Sequence, residues 1–150
     1  MSDSWIILIP QEPDFLPAAL AQHEAVGYFS KLAPKASDID MQTSPQNRFV
    51  HCGANFSRIL CPVCGLEISK EWWRSRMEEE DVVGYTLNPV RLPCCGNERN
   101  LNNIIYEWAQ GFARFSIQAK NPDIGKLTDD NLREFERILN CRLRAIYCHL

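Results

Sequence analysis

The sequence lacks the features of a membrane protein, a secreted protein or a general nucleic-acid binder. No apolar run approaches the length of a membrane span, and the amino terminus has neither the basic region nor the long apolar segment of a secretory signal. The formal net charge is −3, whereas nucleic-acid binding generally needs a basic surface. We therefore expect a cytoplasmic protein that does not bind membranes. A nucleic-acid-binding zinc ribbon is kept as an alternative.

Recognisable catalytic patterns are also missing. The chain contains no phosphate-binding glycine loop, no paired-carboxylate pattern and no serine-triad motif. His51 and Cys52 place a base next to a thiol, but adjacent residues of a strand point to opposite faces. We therefore predict a non-enzymatic protein, and an enzyme of unknown class is the second alternative.

The composition is that of a folded domain. The 150 residues are 45% hydrophobic and 23% charged, which is typical of globular proteins and unlike disordered ones. The length fits one core with an inserted segment. We predict a single domain over residues 1–150.

Seven cysteines are the most informative residues of the chain. In a reducing compartment, clustered cysteines are more often metal ligands than disulfides. Cys61 and Cys64 belong to a CPVCG motif, and Cys94 and Cys95 to a PCCG motif. In each motif the final glycine lets the backbone turn toward the thiolates. We predict that these four residues bind one structural Zn²⁺, because four thiolates leave no coordination position open for catalysis.

The second motif is the less usual half of this site, because two adjacent cysteines need a tight backbone to bind one ion. If only one of them binds, the fourth ligand would be Cys52, His51 or His23. Cys94 would then be a packed apolar thiol. A redox pair and unligated core thiols are the other interpretations of the cysteine motifs.

Hydrophobic patterning predicts strands and helices on either side of the cysteine-rich segment. Outside that segment the predicted order is strand, helix, strand, strand, helix and strand, which is the order of the ferredoxin-like split βαβ sandwich. We predict an α+β fold in which residues 53–110 form an inserted zinc-ribbon-like segment. Residues 5–9 are all apolar, so the insertion should cover the second face of the first strand.

Local signals set the predicted boundaries. Asp14, Ser69, Asn100 and Thr128 precede apolar residues at helical spacing, and their side chains can cap a helix. The polar residues 35–47 show no periodicity and are predicted to form a loop. Residues 85–92 are predicted to be extended.

The segment between the two cysteine motifs contains a predicted partner surface. Trp72 and Trp73 are consecutive on a predicted helix and so lie about 100° apart, which means that one core cannot bury both. The acidic residues 78–81 end that helix, where its dipole favours cations. We predict that a protein partner of basic charge docks on Trp72, Trp73, Glu78, Glu79, Glu80 and Asp81.

Other interpretations of these residues remain open. A tryptophan could cover the zinc turn, and the acidic run could be a solvated surface. The competing docking site, for an acidic partner, is an outer sheet face formed by Arg114, Arg142 and Arg144.

The apolar first strand, the CPVCG motif, the double tryptophan and LPCCG at 92–96 together resemble a group of small uncharacterised bacterial cytosolic proteins. The similarity extends through residues 106–108 and 111–115. This resemblance implies a bacterial, cytosolic protein and adds no catalytic residue. Immunity proteins and other partners in bacterial conflict systems are often of this size and acidity, and by that analogy we expect a protein-interaction function.

Overall fold

The computed structural model describes residues 2–150, which form three α-helices and eight strands. A short 3-10 turn lies at Leu101–Asn103. In chain order, the elements are β1 (Ser4–Pro10), α1 (Ala19–Leu32), β2 (Asp38–Val50), β3 (Ile59–Leu60), α2 (Lys70–Val82), β4 (Val90–Arg91), β5 (Glu98–Arg99), β6 (Ile105–Tyr106), β7 (Gly111–Lys120), α3 (Asp129–Leu139) and β8 (Leu143–His149).

The main sheet has four antiparallel strands in the order β2-β7-β1-β8. β1 is central, and its Leu8 lies opposite Ile117 on one side and Ala145 on the other. α1 and α3 pack on one face of this sheet, where Phe29 and Phe135 meet edge to face with ring centroids 5.0 Å apart. The α+β class predicted from the sequence is confirmed.

The second face of the main sheet is covered in part by the cysteine-rich segment. Ile7 and Ile9 of β1 are buried there beside Ile146 of β8. Phe56 and Ala109, which belong to residues 53–110, pack against this cluster. β1 is therefore apolar on both faces because both of its faces contact other parts of the protein.

The segment 53–110 has its own small core, which it shares with the main sheet. Trp73 of α2 is buried there against Phe56, and its Nε1 donates a hydrogen bond to the Tyr106 hydroxyl at 3.1 Å. Phe112 of β7 and Phe49 of β2 belong to the same cluster. The segment also contains two short two-stranded antiparallel sheets, β3–β6 and β4–β5. The insertion and the sheet are thus joined by continuous apolar packing.

Arg144 also joins the two parts. Its guanidinium donates to Asn102 Oδ1 at 3.2 Å, to the Gln110 carbonyl at 2.8 Å and to Gln11 Oε1 at 3.2 Å. Burial lowers the pKa of this guanidinium. Arg144 therefore faces the insertion, and the prediction that it lies on an outer, solvent-facing surface is wrong.

The other two arginines of that predicted surface lie elsewhere. Arg142 precedes β8 and approaches Glu136 of α3 at 3.5 Å. Arg114 Nε donates to the Ser44 carbonyl at 3.0 Å. These contacts point the three guanidinium groups to three different places, so Arg114, Arg142 and Arg144 do not form one docking face.

Several predicted boundaries are wrong. The predicted loop at 35–47 lies mostly within β2, an edge strand interrupted by a bulge between Thr43 and Arg48. The predicted helix after Asp14 begins only at Ala19, with Ala18 at the N-cap. Residues 101–108 form the 3-10 turn and β6, not a helix.

The region 85–92 is also less extended than predicted. Only Val90–Arg91 is a strand, and Tyr85 and Leu87 adopt left-handed backbone conformations with φ of 56° and 61°. The helix caps at Ser69 and Thr128 are confirmed, because each side chain accepts a backbone N–H of its helix.

Candidate metal centre

Two short turns bring the four predicted ligands together. In the first turn the Cys61 N–H donates to the Leu66 carbonyl at 2.9 Å, and the Gly65 N–H donates to the Cys61 carbonyl at 3.0 Å. Gly65 has φ of 77°, a left-handed conformation that costs glycine nothing. The turn is closed by β3, whose Leu60 forms a bridge with Glu67.

The second turn repeats this hydrogen-bond pattern. The Leu92 N–H donates to the Asn97 carbonyl at 2.8 Å, and the Gly96 N–H donates to the Leu92 carbonyl at 3.0 Å. Gly96 has φ of 76°, and β4 and β5 close the turn. The two turns are therefore equivalent in backbone structure.

The equivalence sets a correspondence between the two motifs. The backbone position of Cys61 is taken by Leu92 in the second turn, and the position of Cys64 is taken by Cys95. Cys94 takes the position of Val63. The first turn thus supplies ligands from its first and fourth positions, and the second turn supplies them from its third and fourth.

The four sulfur atoms lie within 4.8 Å of one another. The Sγ atoms of Cys61 and Cys95 are 3.8 Å apart, and those of Cys64 and Cys94 are 3.3 Å apart. Residues far apart in the sequence thus form the possible metal site that the two motifs predicted.

Hydrogen bonds to sulfur favour thiolate at this cluster. The backbone N–H groups of Val63 and Cys64 point at Cys61 Sγ, at 3.3 and 3.4 Å, and Asn97 Nδ2 donates to Cys95 Sγ at 3.3 Å. Burial acts to raise the pKa of Cys61, but the backbone donors and the hydrogen bonds of the Cys94 and Cys64 thiols together outweigh it and lower the pKa to about 6. Burial and the neighbouring thiols raise the pKa of Cys94 to about 12. In the metal-free cluster, Cys61 is therefore the preferred thiolate.

The alternative fourth ligands lie outside this cluster. Cys52 is buried in the core on the second face of the sheet, where its Sγ lies 3.4 Å from Gln110 Oε1. His51 Nδ1 accepts a hydrogen bond from the Gly53 N–H at 3.0 Å, and His23 belongs to α1. The cluster consists of Cys61, Cys64, Cys94 and Cys95.

The predicted partner surface is smaller than the sequence indicated. Trp73 is only 7% exposed, because it fills the core of the insertion. Glu80 is 5% exposed, and its carboxylate accepts the backbone N–H groups of Leu87 and Asn88. Neither Trp73 nor Glu80 is available to a partner. Half-buried Trp72 and three exposed acidic residues remain, namely Glu78, Glu79 and Asp81.

Two residues that contribute to the two cysteine turns were not identified from the sequence. Asn97 donates to a ligand sulfur, and Leu92 takes the backbone position of a ligand. Aligning the motifs on their glycines, CPVCG on LPCCG, would have identified Leu92 in advance.

Comparison of the chain with known protein families, with curated proteins and with solved structures finds no match. Across residues 2–150, none of the helices has both the length and the apolar character needed to cross a membrane.

Proposed function

We propose that the four-cysteine cluster holds one structural Zn²⁺ ion. The geometry of the sulfur atoms supports this. With Zn–S bonds of ~2.3 Å, a tetrahedral site places its sulfurs ~3.8 Å apart. The separation of Cys61 Sγ and Cys95 Sγ is 3.8 Å, that of Cys64 Sγ and Cys94 Sγ is shorter at 3.3 Å, and all four sulfurs lie within 4.8 Å of one another. Four sulfur ligands favour Zn²⁺ over the harder Mg²⁺ and Ca²⁺. Such an ion would link the β3 turn to the β4–β5 turn.

Elemental analysis of the purified protein tests the site. We expect close to one zinc per chain, and Co²⁺ substitution should give the absorption spectrum of tetrahedral thiolate coordination. Cys141→Ser is the matched control, because Cys141 is half-buried and lies outside the cluster. Metal-free protein that keeps its fold and its thermal stability would reject a structural zinc.

We also propose that the main sheet and its two helices have the ferredoxin-like arrangement. Without the insertion, the core order is β1-α1-β2-β7-α3-β8, and the sheet order β2-β7-β1-β8 is the one expected of two interleaved βαβ units. In that arrangement residues 53–110 are an insertion between the second and third strands of the core.

For the whole protein we propose a non-enzymatic role as a zinc-stabilised protein-interaction module. The main support is the exposed end of α2, where apolar and acidic side chains lie together. Val82 is 86% exposed and Val83 is 51% exposed. Glu78, Glu79 and Asp81 are exposed on the same helix. We call Trp72, Glu78, Glu79, Asp81, Val82 and Val83 the α2 surface. Trp72 lies in the first turn of the helix and shares a face with Glu79, whereas Asp81 lies about 180° around the helix from it.

The chemistry of the α2 surface favours a basic protein partner. Glu79 is paired with Arg76 at 2.8 Å, and the Arg76 guanidinium lies 5.9 Å from the Trp72 ring centroid. Glu78 and Asp81 would attract a basic surface and speed the encounter, and the two valines and Trp72 would supply apolar contact area. By analogy, an immunity protein that binds a basic toxin would use such a surface. A nucleic acid fits it poorly, because like charges repel.

Affinity capture from the native host, followed by a quantitative binding assay with the protein captured, tests this proposal. Trp72→Ala should weaken binding by about 2 kcal/mol if the ring is an anchor. Replacing Glu78, Glu79 and Asp81 by Gln or Asn should mainly slow association and reduce its salt dependence. Glu24→Gln on α1 is the charge control, since it removes an exposed acid from a different helix.

Three results would overturn the interaction role. Undiminished binding by both the tryptophan and the acidic variants would place the docking surface elsewhere. Salt-dependent binding of single-stranded RNA or DNA would favour the nucleic-acid alternative. Turnover of a substrate by the purified protein would favour an enzyme.

A further inference from the structure

One cavity of the molecule lies away from both the cysteine cluster and the α2 surface. It has a volume of about 250 Å³ and opens on the second face of the main sheet, beyond the part that the insertion covers. Trp5 and Phe49 are its aromatic lining residues, and Ile7 and Val50 contribute aliphatic surface. Its walls are therefore suited to a flat apolar group.

Arg48 is the charged residue of this cavity. Its Nη1 donates to Gln42 Oε1 at 2.8 Å, and its Nη2 lies 3.3 Å from Ser116 Oγ. Its Nε is buried without a hydrogen-bond partner. A buried donor without an acceptor is unfavourable, and the cost is greater for a charged group. Because Nε is buried, a ligand in the cavity would contact the Nη1 and Nη2 groups, each of which has a second N–H that can donate to an anion.

The charge of Arg48 is also not neutralised. Among residues 2–150 no carboxylate lies within 4.0 Å of it, and the described residues that line the cavity include no Asp or Glu. Burial lowers the pKa of the guanidinium, which shows that its charged form is poorly solvated. By strand register, Asp38 and Asp40 of β2 lie opposite Lys120 and Gln118.

Other donors line the same cavity. The Ser116 side chain is 1% exposed and its hydroxyl lies next to the Arg48 guanidinium. His51 Nδ1 accepts the Gly53 N–H, so a neutral His51 has its proton on Nε2 and can donate from that atom. Half-buried Arg144 differs because four oxygen contacts already use its two Nη groups.

We propose that this cavity binds a small molecule that has an anionic oxygen group, a carboxylate or a phosphate, on a flat apolar body. The anion would accept hydrogen bonds from Arg48 and Ser116, and the apolar body would lie against Trp5 and Phe49. The anion would supply a countercharge to Arg48. The site is independent of the metal, because none of the four cysteines of the cluster lines it.

NMR titration of the wild-type protein with three probes of similar size tests the proposal. Benzoate carries a carboxylate, phenyl phosphate carries a phosphate, and benzamide has the same ring without the charge. We expect at least one anion, at constant ionic strength, to shift the Arg48 Nε–H, Trp5 indole and Ser116 amide resonances with a dissociation constant of the order of 1 mM. The anion that binds more tightly identifies the group.

Variants separate a specific site from general charge attraction. Arg48→Gln should weaken binding of the preferred anion about tenfold or more, whereas Arg133→Gln, on the exposed surface of α3, should leave it unchanged. Should Arg48→Gln fail to fold, Gln118→Glu provides the second test, because it places a negative charge in the cavity without removing Arg48. That variant should also weaken binding about tenfold.

Three outcomes would overturn the proposal. The first is that neither anion shifts the cavity resonances. The second is that benzamide shifts them as strongly as the anions do. The third is that folded Arg48→Gln and Gln118→Glu proteins bind the anions as tightly as the wild type.

Discussion

The two cysteine turns have the same backbone and different ligand positions. Cys61 and Leu92 occupy equivalent positions, and each is 1% exposed in the core of the insertion. In the first turn one side chain therefore both packs in the core and belongs to the candidate metal site. In the second turn leucine packs in the core, and the ligand moves to Cys94. The equivalent of Cys94 in the first turn is Val63, which is 44% exposed.

This difference shows how an adjacent cysteine pair can serve one ion. The third and fourth positions of the turn both direct their sulfur atoms toward the partner turn, while the first position remains available for core packing. The tight backbone that such a pair needs is supplied by the Gly96 turn. The second turn thus gains apolar volume without losing a ligand.

The strongest test of this comparison is to replace Cys61, which both packs in the core of the insertion and belongs to the candidate metal site. Cys61→Ser should abolish stoichiometric zinc binding and lower the melting temperature by about 10 °C or more, because it removes a ligand from the core of the insertion. Elemental analysis and a thermal melt measure both effects. Cys148→Ser, a buried cysteine outside the cluster, separates loss of metal from loss of a buried thiol.

Exchanging the ligand position inside the second turn is the sharper test. Cys94→Val alone should lose most of the zinc, whereas the double variant Leu92→Cys/Cys94→Val should recover close to one zinc per chain. The double variant copies the first turn, so the sulfur introduced at position 92 should reach the ion as that of Cys61 does. It should be less stable than the wild type, since a buried leucine side chain is shortened. Equal zinc loss in both variants would show that the turns are not equivalent.

A third test concerns the join between the insertion and the sheet. Arg144→Met keeps the aliphatic bulk but removes the hydrogen bonds to Asn102, Gln110 and Gln11, and takes a donor from the buried Gln110 carbonyl, whereas Asn102 Oδ1 keeps the Phe112 N–H. We expect a loss of roughly 2–3 kcal/mol in the free energy of unfolding. Chemical denaturation measures it, and Arg142→Met, at an exposed position, should cost under about 0.5 kcal/mol.

The smallest expected effect comes from removing a hydrogen bond to Cys95 Sγ in the second turn. Asn97→Ala removes the hydrogen bond from Nδ2 to Cys95 Sγ. The zinc affinity should fall about tenfold, because partners of ligand atoms tune metal binding. Competition with a chromophoric chelator measures the change, and Asn88→Ala, also on an exposed loop of the insertion, is the control. An unchanged affinity would show that the amide is not needed to stabilise this ligand.

The cysteine cluster was accessible from the sequence because its determinants are local. Each motif specifies a turn by a proline, a glycine and the spacing of its thiols. The caps at Ser69 and Thr128 were accessible for the same reason. Trp72 and Trp73 show the limit of this approach: helical geometry requires that they point apart, but only the packed structure shows that Trp73 is the buried one.

The features that could not be predicted depend on what packs against a residue. Residues 38–42 of β2 do alternate, with Ile39 and Met41 packed on the core, but the alternation stops near the bulge between Thr43 and Arg48, and the segment was predicted to be a loop. Arg144 alternates correctly with its apolar neighbours, but its face of the strand meets the insertion, not solvent. A sequence pattern indicates the periodicity and polarity of side chains along an element, but it does not indicate which part of the protein packs against each face.

The position of the cysteine cluster also affects the chain entropy of folding. β2 pairs with β7 from Val50 opposite Gly111, so residues 51–110 form a long loop that must close before these strands meet. A metal bond between the two turns removes the chain between Cys64 and Cys94 from that loop and roughly halves its effective length. Halving a flexible loop lowers its closure cost by about 0.6 kcal/mol. An ion that binds early in folding would therefore make it easier for the edge strand β2 to pair with β7.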